Sequence, residues 1–346
     1  MLDKLELNQC NKNTVWDFWR CLDTCNSSDV LNKVKPYIDE TTQTFGPDPI
    51  NELQGANQYI EGFWQPLKHS FPDLSRETFI FFGGVSNGRK DGDINKDGAY
   101  WVTGTGNLVG TFARDYLGIP ASGKQVSIRW GEFCRVEDNK ITHIYYLLDY
   151  IDLMQQAGFD VLPPSHGKDG MYLAPKAQDG ILRDQMDPDY SAYTLDHMRK
   201  FIYEGLNSYD ESALESMGMA DFFHPDVTWY GPGGIGACYG LKEFEDYHQK
   251  IWLHAFPDRE VQDLNALIAE GRYSGGPGWA GVIAIHTGEY KGVNATNNRV
   301  EINGLDWWRR EGEQLVENWV FVDMVHLFRQ FNVDLFERLK QQVSAK

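Results

Sequence analysis

Two aspartates, Asp149 and Asp323, close the apolar runs HIYYLLD and ENWVFVD. Residues two apart on a strand share a face, so Glu317, Trp319, Phe321 and Asp323 are expected to point one way, as are His143, Tyr145, Leu147 and Asp149. On the preceding run, Glu132 and Asp306 lie six residues beyond Val126 and Val300 on a common face. A carboxylate among aromatic side chains loses hydration, which favours its neutral form and raises its pKa. That is the property of a general acid–base working near neutral pH, able to take a proton from a carbon flanked by carbonyls and return one to a new oxygen. Such chemistry asks for no metal and no nucleotide, so the expected cofactor is none.

Each candidate has a structural alternative. An Asp at a strand end before a helix is a natural N-cap. Glu132 and Asp306 equally suit a buried ion pair with an arginine such as Arg129 or Arg309. His286 is placed to orient the second carboxylate, but the matching residue is Phe112, so the two pockets must differ in chemistry. Trp229, Tyr230, Trp307 and Trp308 either line a cavity for a flat apolar ligand or pack as core. His69 and His254 recur, which points to a need of the fold. Asp93, Asn95, Asp97 and Gly98 begin like a calcium loop, but position 12 is Gly104 where a bidentate Glu is needed. The run from Gly104 to Gly110 lacks dinucleotide-binding spacing. The Asn294 sequon matters only in a secreted protein.

These residues are positioned by a chain that repeats itself. Residues 45–73 align without gaps to 230–258 with 8 of 29 identical, and 116–160 align to 290–334 with 11 of 45 identical. The two shifts, 185 and 174, leave 11 extra residues in the first half, expected within 83–98. Long-period repetition of this kind signals tandem copies of one domain. We expect a first domain at 12–157, a Gly-, Pro- and Asp-rich linker at 158–190, and a second domain at 191–342. Val15, Phe18, Trp19 and Leu22 share a helical face, as do Leu195, Met198, Ile202 and Leu206. Leu241 to His254 reads as a further helix, and three strands follow, the last two joined by the turns E-D-N-K and E-G-E-Q. Helices first and antiparallel strands after predict an α+β fold with a curved sheet wrapped around helices.

Composition bounds the partners. With 346 residues, 42% hydrophobic and 14% aromatic, the chain is globular, and its length alone predicts two domains. A net charge of −18 repels phosphate backbones and anionic lipid, so neither nucleic acid nor a membrane is expected as partner. The first residues lack an apolar leader core and no run is long enough to span a membrane, which reads as cytoplasmic. Five cysteines at low density suit reduced thiols.

The A-F-P-D helix end at Ala255–Asp258, the H-T-G-x-Y run at His286–Tyr290, the E-N-W-x-x-x-D strand at Glu317–Asp323 and the L-x-x-Q step at Leu327–Gln330 resemble the SnoaL-like polyketide cyclases, within the nuclear-transport-factor-2-like α+β barrel superfamily. The resemblance covers both repeats. It implies a cone-shaped cavity between sheet and helices, and pairing of two such barrels through their sheets, here as a pseudo-dimer within one chain. It also implies an acid/base aspartate near the end of the last long strand for an aldol closure, at Asp149 and Asp323. The expected site therefore holds Asp323, Asp149 and His286 as catalytic groups. Glu317, Trp319, Asp306, Trp307, Glu132, His143 and Tyr145 are expected to bind a small apolar carbonyl substrate of polyketide type. A binding module without turnover and a pseudo-dimeric scaffold are the alternatives, since one fold hosts all three.

Overall fold

A computed structural model of the chain describes residues 3–25, 29–208 and 219–345. The first repeat opens with the helix Lys4–Thr24, which buries Val15, Phe18, Trp19 and Leu22. The short strands β1 (Gln43–Phe45) and β2 (Glu52–Gln54) follow, then a helix over 55–70 carrying a π turn at Ile60–Trp64. The long strands are β3 (Ser75–Val85), β4 (Tyr100–Thr111), β5 (Gln125–Glu137) and β6 (Lys140–Leu148), closed by the helix Tyr150–Gln156. The second repeat runs in the same order. A helix over 188–205 leads to β7 (Phe223–Tyr230) and β8 (Ala237–Tyr239), and a helix over 241–255 carries a π turn at Glu245–Gln249. Then come β9 (Glu260–Val261), β10 (Ile268–Glu270), β11 (Tyr273–Ile285), β12 (Arg299–Glu311) and β13 (Gln314–Val322), followed by the helices Met324–Gln330 and Leu335–Ser344.

The strand orders are β2-β1-β6-β5-β4-β3 and β10-β11-β12-β13-β7-β8. The fold is α+β as expected, with two open sheets whose long strands pair antiparallel and which become mixed where β1 runs parallel to β6 and β7 parallel to β13. The predicted β5–β6 turn is tight, with Asp138 and Asn139 both at positive φ, as a two-residue hairpin loop requires. The extra residues of the first half join β3 to β4 over 86–99, where the second half has only Gly271 and Arg272 between β10 and β11.

Both faces of each sheet are covered, one by its own helices and the other by the opposite sheet. Between the sheets, the matched residues Phe133 and Trp307 stack at 4.9 Å, and Trp307 Nε1 donates to Thr103 Oγ1 at 2.9 Å. Part of 158–190 threads this seam. Tyr172 is buried there, and the Leu173 carbonyl accepts from Trp319 Nε1 at 2.8 Å. Lys12 crosses between repeats to Glu270 at 2.7 Å, both fully buried, with the Leu182 and Asp184 carbonyls accepting its remaining protons at 3.0 Å each. Among the described residues no helix is long and apolar enough to cross a membrane.

Candidate functional site

The two cones differ in what fills them. In the first, Trp19 lies over Gly104 and meets Trp130 edge-on at 4.9 Å, while Phe63 stacks on Tyr146 at 4.1 Å. The Arg76 guanidinium sits 4.2 Å from the Trp130 ring. In the second, the positions matching Trp130, Tyr146, Phe63 and Trp64 are Gly304, Val320, His248 and Gln249. Replacing four large aromatic side chains with smaller ones empties volume that close packing would otherwise fill. A cavity of about 180 Å³ results, lined by the helices over 188–205 and 241–255 and by the inner faces of β11, β12 and β13.

Asp306 on β12 faces this cavity, between Gly276 on β11 and Val320 on β13. Protein surrounds its carboxyl, and what surface it keeps opens onto the cavity. Burial pushes its pKa up to about 7, opposed only by the nearby Asn318 side-chain amide. Among the described residues no lysine, arginine or histidine lies within ion-pair distance of it. His248 lines the same cavity, stacked on Trp229 at 4.2 Å. Burial and then the Arg259 charge hold its pKa down to about 3, so its imidazole is neutral at ordinary pH. Phe201, Trp252, Trp308 and Val322 supply apolar wall. The arrangement provides one carboxyl able to exchange a proton near neutrality, a neutral imidazole and an apolar surround.

Of the residues expected to do chemistry or bind substrate, Asp306 alone lines the cavity; of the four aromatics offered as cavity wall, Trp229 and Trp308 line it, and the other expected residues are placed elsewhere for identifiable reasons. Asp323 and Asp149 are N-caps, accepting from the His326 and Asp152 amides at 3.0 Å each. Their second oxygens reach across the seam to matched amides, Asp323 to Asp48 at 2.9 Å and Asp149 to Gly233 at 2.7 Å. Arg129 also stands 3.5 Å from Asp149 and donates to the Gly231 carbonyl. Both aspartates are thus held in structural contacts, and neither belongs to the cavity lining. Glu317 pairs with Arg309 at 2.6 Å and accepts from the Lys176 amide at 3.0 Å. Trp319, Trp307 and Tyr145 belong to the sheet-to-sheet core, and His143 lies on that same face of β6, its Nδ1 3.1 Å from Thr142 Oγ1. Glu132 does point into its cone but is held by Trp19 Nε1 at 2.7 Å and Cys134 Sγ at 3.1 Å, with burial raising its pKa. The expected arginine partners of Glu132 and Asp306 are therefore engaged with other carboxylates. His286 stacks on Phe331 at 4.0 Å, its Nδ1 3.1 Å from Thr296 Oγ1, outside the cavity lining.

The cause of these misplacements is parity. Alternation correctly groups Glu317, Trp319 and Phe321, but a sheet covered on both sides is apolar on both faces, so alternation does not say which face meets the helices. On β13 the cavity is lined mainly by the other set, Asn318, Val320 and Val322, joined by Phe321. Asn318, His248, Gln249 and Arg259 were not singled out from sequence. The signal that finds the hollow repeat is the small-for-large exchange between matched positions, above all Gly304 for Trp130. The calcium-like run serves the loop itself, with Asp97 accepting from Ser86 Oγ at 2.8 Å and the Gly88 amide at 2.6 Å. Among the described residues no three His, Cys, Asp or Glu side chains converge to hold a metal.

The model of the SnoaL-like polyketide cyclase family matches residues 95–157 and 196–331, together more than half of the chain. Solved structures similar to it each cover about one repeat. AclR from Streptomyces galilaeus, a proposed hydroxylase, is 21% identical, covering 41% of this chain and 86% of its own with a TM-score of 0.34. A proposed SnoaL-like polyketide cyclase from Jannaschia sp. CCS1 is 14% identical, covering 43% and 98% with a TM-score of 0.37. IdmH from Streptomyces antibioticus, a proposed polyketide cyclase, is 20% identical, covering 40% and 99% with a TM-score of 0.32. No curated protein matches the chain.

Proposed function

The chain belongs to the SnoaL-like polyketide cyclase family, and from that premise we propose that its second repeat is a cofactor-independent cyclase or isomerase site acting on a small, apolar, polyketide-like carbonyl compound. The observation that carries the reading is Asp306, a cavity-facing carboxyl without a cationic partner among the described residues, raised to about 7 by burial. In its ionised form Asp306 takes a proton from a carbon between two carbonyls. The resulting enolate carbon attacks a third, more distant carbonyl of the same molecule, forming a C–C bond and an alkoxide. The alkoxide takes the proton back from Asp306, so the product is an isomer of the substrate and the carboxylate is regenerated. The neutral imidazole of His248 keeps an N–H to donate to a carbonyl oxygen. The first repeat, its cone filled, acts as structural partner.

The test is turnover, by the wild type and by Asp306→Asn, of a set of linear compounds that carry a 1,3-dicarbonyl unit and a further carbonyl within ring-closing reach. Loss of a positioned general acid–base lowers rate by about 10²–10⁴-fold. Undiminished turnover in Asp306→Asn refutes the assignment. Saturable binding in the wild type without turnover of any member would favour the binding-module alternative.

A further inference from the structure

The long loop of the first repeat ends up on the second repeat's cavity wall. In the first repeat, β3 is continuous, but the matching stretch of the second is broken into β9 and β10, with 262–267 outside the ladder. Opposite this break β11 carries Gly276, Pro277 and Gly278, and its pairing with β12 shifts register between Gly278 and Val282. Proline offers no ladder donor. The Gln262 and Asn265 amides still reach the Gly281 and Pro277 carbonyls of β11 at 2.9 and 3.0 Å, and the intervening backbone bonds to the other repeat. The Leu264 amide donates to the Gly88 carbonyl at 2.9 Å, the Asn87 amide to the Leu267 carbonyl at 2.9 Å, and the Leu267 amide to Ser86 Oγ at 3.1 Å. The Lys90 amide donates to Asp263 Oδ1 at 2.6 Å.

This stretch of the loop is itself anchored on two sides. Asp97 holds its start through Ser86 and Gly88. From the helix over 188–205, Arg199 Nη1 donates to the Asn87 and Arg89 carbonyls at 2.7 and 2.6 Å, and the Tyr203 hydroxyl donates to the Gly88 carbonyl. That helix contributes Phe201 and Ile202 to the cavity, and the supported segment contributes Leu264, beside Val261 of β9. The contact is close enough that a Cβ at Gly88 would lie 2.7 Å from the Leu264 oxygen.

We propose that the 86–98 loop of the first repeat sets the wall of the second repeat's cavity, with Asp97 as its positioning residue. This rests on the reading of that cavity as the functional site. The test combines hydrogen exchange of 262–267 with the affinity of a flat carbonyl probe, 1,8-dihydroxyanthraquinone, followed by quenching of tryptophan fluorescence. In Asp97→Ala, exchange at Leu264 and Leu267 should rise about tenfold and probe affinity fall about tenfold, one such factor being about 1.4 kcal/mol. Exchange in β5 and β6 should stay unchanged. Asp97→Asn keeps one acceptor oxygen and should recover part of both effects, and Gly88→Ala should reproduce them by displacing Leu264. Unchanged exchange over 262–267 in Asp97→Ala and Gly88→Ala overturns the proposal. Failure of the wild type to bind the probe would count against the cavity reading instead, since the exchange measurement decides the loop's role without a ligand.

Discussion

Asp306 and Asp323 both titrate near 7, and burial is the leading cause in each, so pKa alone cannot distinguish the two. Where their oxygens go does. Asp323 caps a helix and clamps the Asp48 amide of the other repeat, whereas Asp306 opens onto the cavity. Asp323→Ala should therefore lower stability by about 2–4 kcal/mol, combining a lost cap with a buried amide left unpaired, while the folded fraction keeps its kcat. Urea unfolding together with turnover checks this, and a collapse of kcat at full stability would return Asp323 to the chemistry. Asp306 carries a linked prediction. Its folded pKa of about 7 stands above the ordinary value of 3.8, so between these the folded state binds more protons than the unfolded one. Stability should then fall as pH rises from about 4 to 7, by at most about 4 kcal/mol from this group. Asp306→Asn should flatten its share of that slope, and should also remove the rise of kcat/KM through pH 7 expected of a base. Denaturant melts at pH 5 and pH 8 give the first result, and a slope identical to the wild type's would show that Asp306 does not titrate there.

At the scale of elements, one sheet scaffold carries either a filled cone or a hollow one, and a few inward positions decide which. Val320 matches Tyr146, which fills the first cone by stacking on Phe63. Val320→Phe should refill part of the second cavity, lowering probe affinity and turnover at least tenfold while leaving stability unchanged or raising it by about 1 kcal/mol. Thermal melts and probe titration check this, and full retention of both binding and turnover would place the ligand elsewhere. A tryptophan at Gly304 is a poorer test, since a Cβ there would lie 2.7 Å from the Phe321 oxygen. Much of this architecture was legible in the residues. The repeats, the four-residue turns, the position of the long loop and the inward direction of Glu132 and Asp306 follow from local pattern. What was not legible depends on the second coat of each sheet. Trp319 and Asn318 differ by one position in the chain, yet one faces the opposite sheet and the other the cavity. Nothing in a doubly apolar strand orders those faces. The parallel pairing of β7 with β13 is likewise a contact between segments more than eighty residues apart, which no short-range signal records.

At the scale of the whole molecule, the first repeat is best understood as the permanent partner of the second. Their seam is built from matched parts: Phe133 on Trp307, Asp149 to Gly233 and Asp323 to Asp48. Around these pseudo-symmetric contacts are unmatched ones, including Lys12 with Glu270 and the loop that supports 262–267. The unmatched contacts make the arrangement one-sided, because two copies of the second repeat would have neither Lys12 nor the long loop to offer each other. A fragment spanning 187–345 would uncover Tyr230, Tyr273, Trp307, Trp319 and Phe321, now buried in the seam. Each such ring buries about 150–250 Å², so together they exceed the apolar patch a monomer ordinarily exposes. Glu270 would also lose its only ion-pair partner among the described residues. The fragment should self-associate, and sedimentation should find no stable monomer. Adding the separately produced first repeat should restore a one-to-one complex with probe affinity near that of the intact chain. A fragment that stays monomeric and binds the probe as the intact protein does would show that the second repeat needs no partner, and the first would then require another reason to be present.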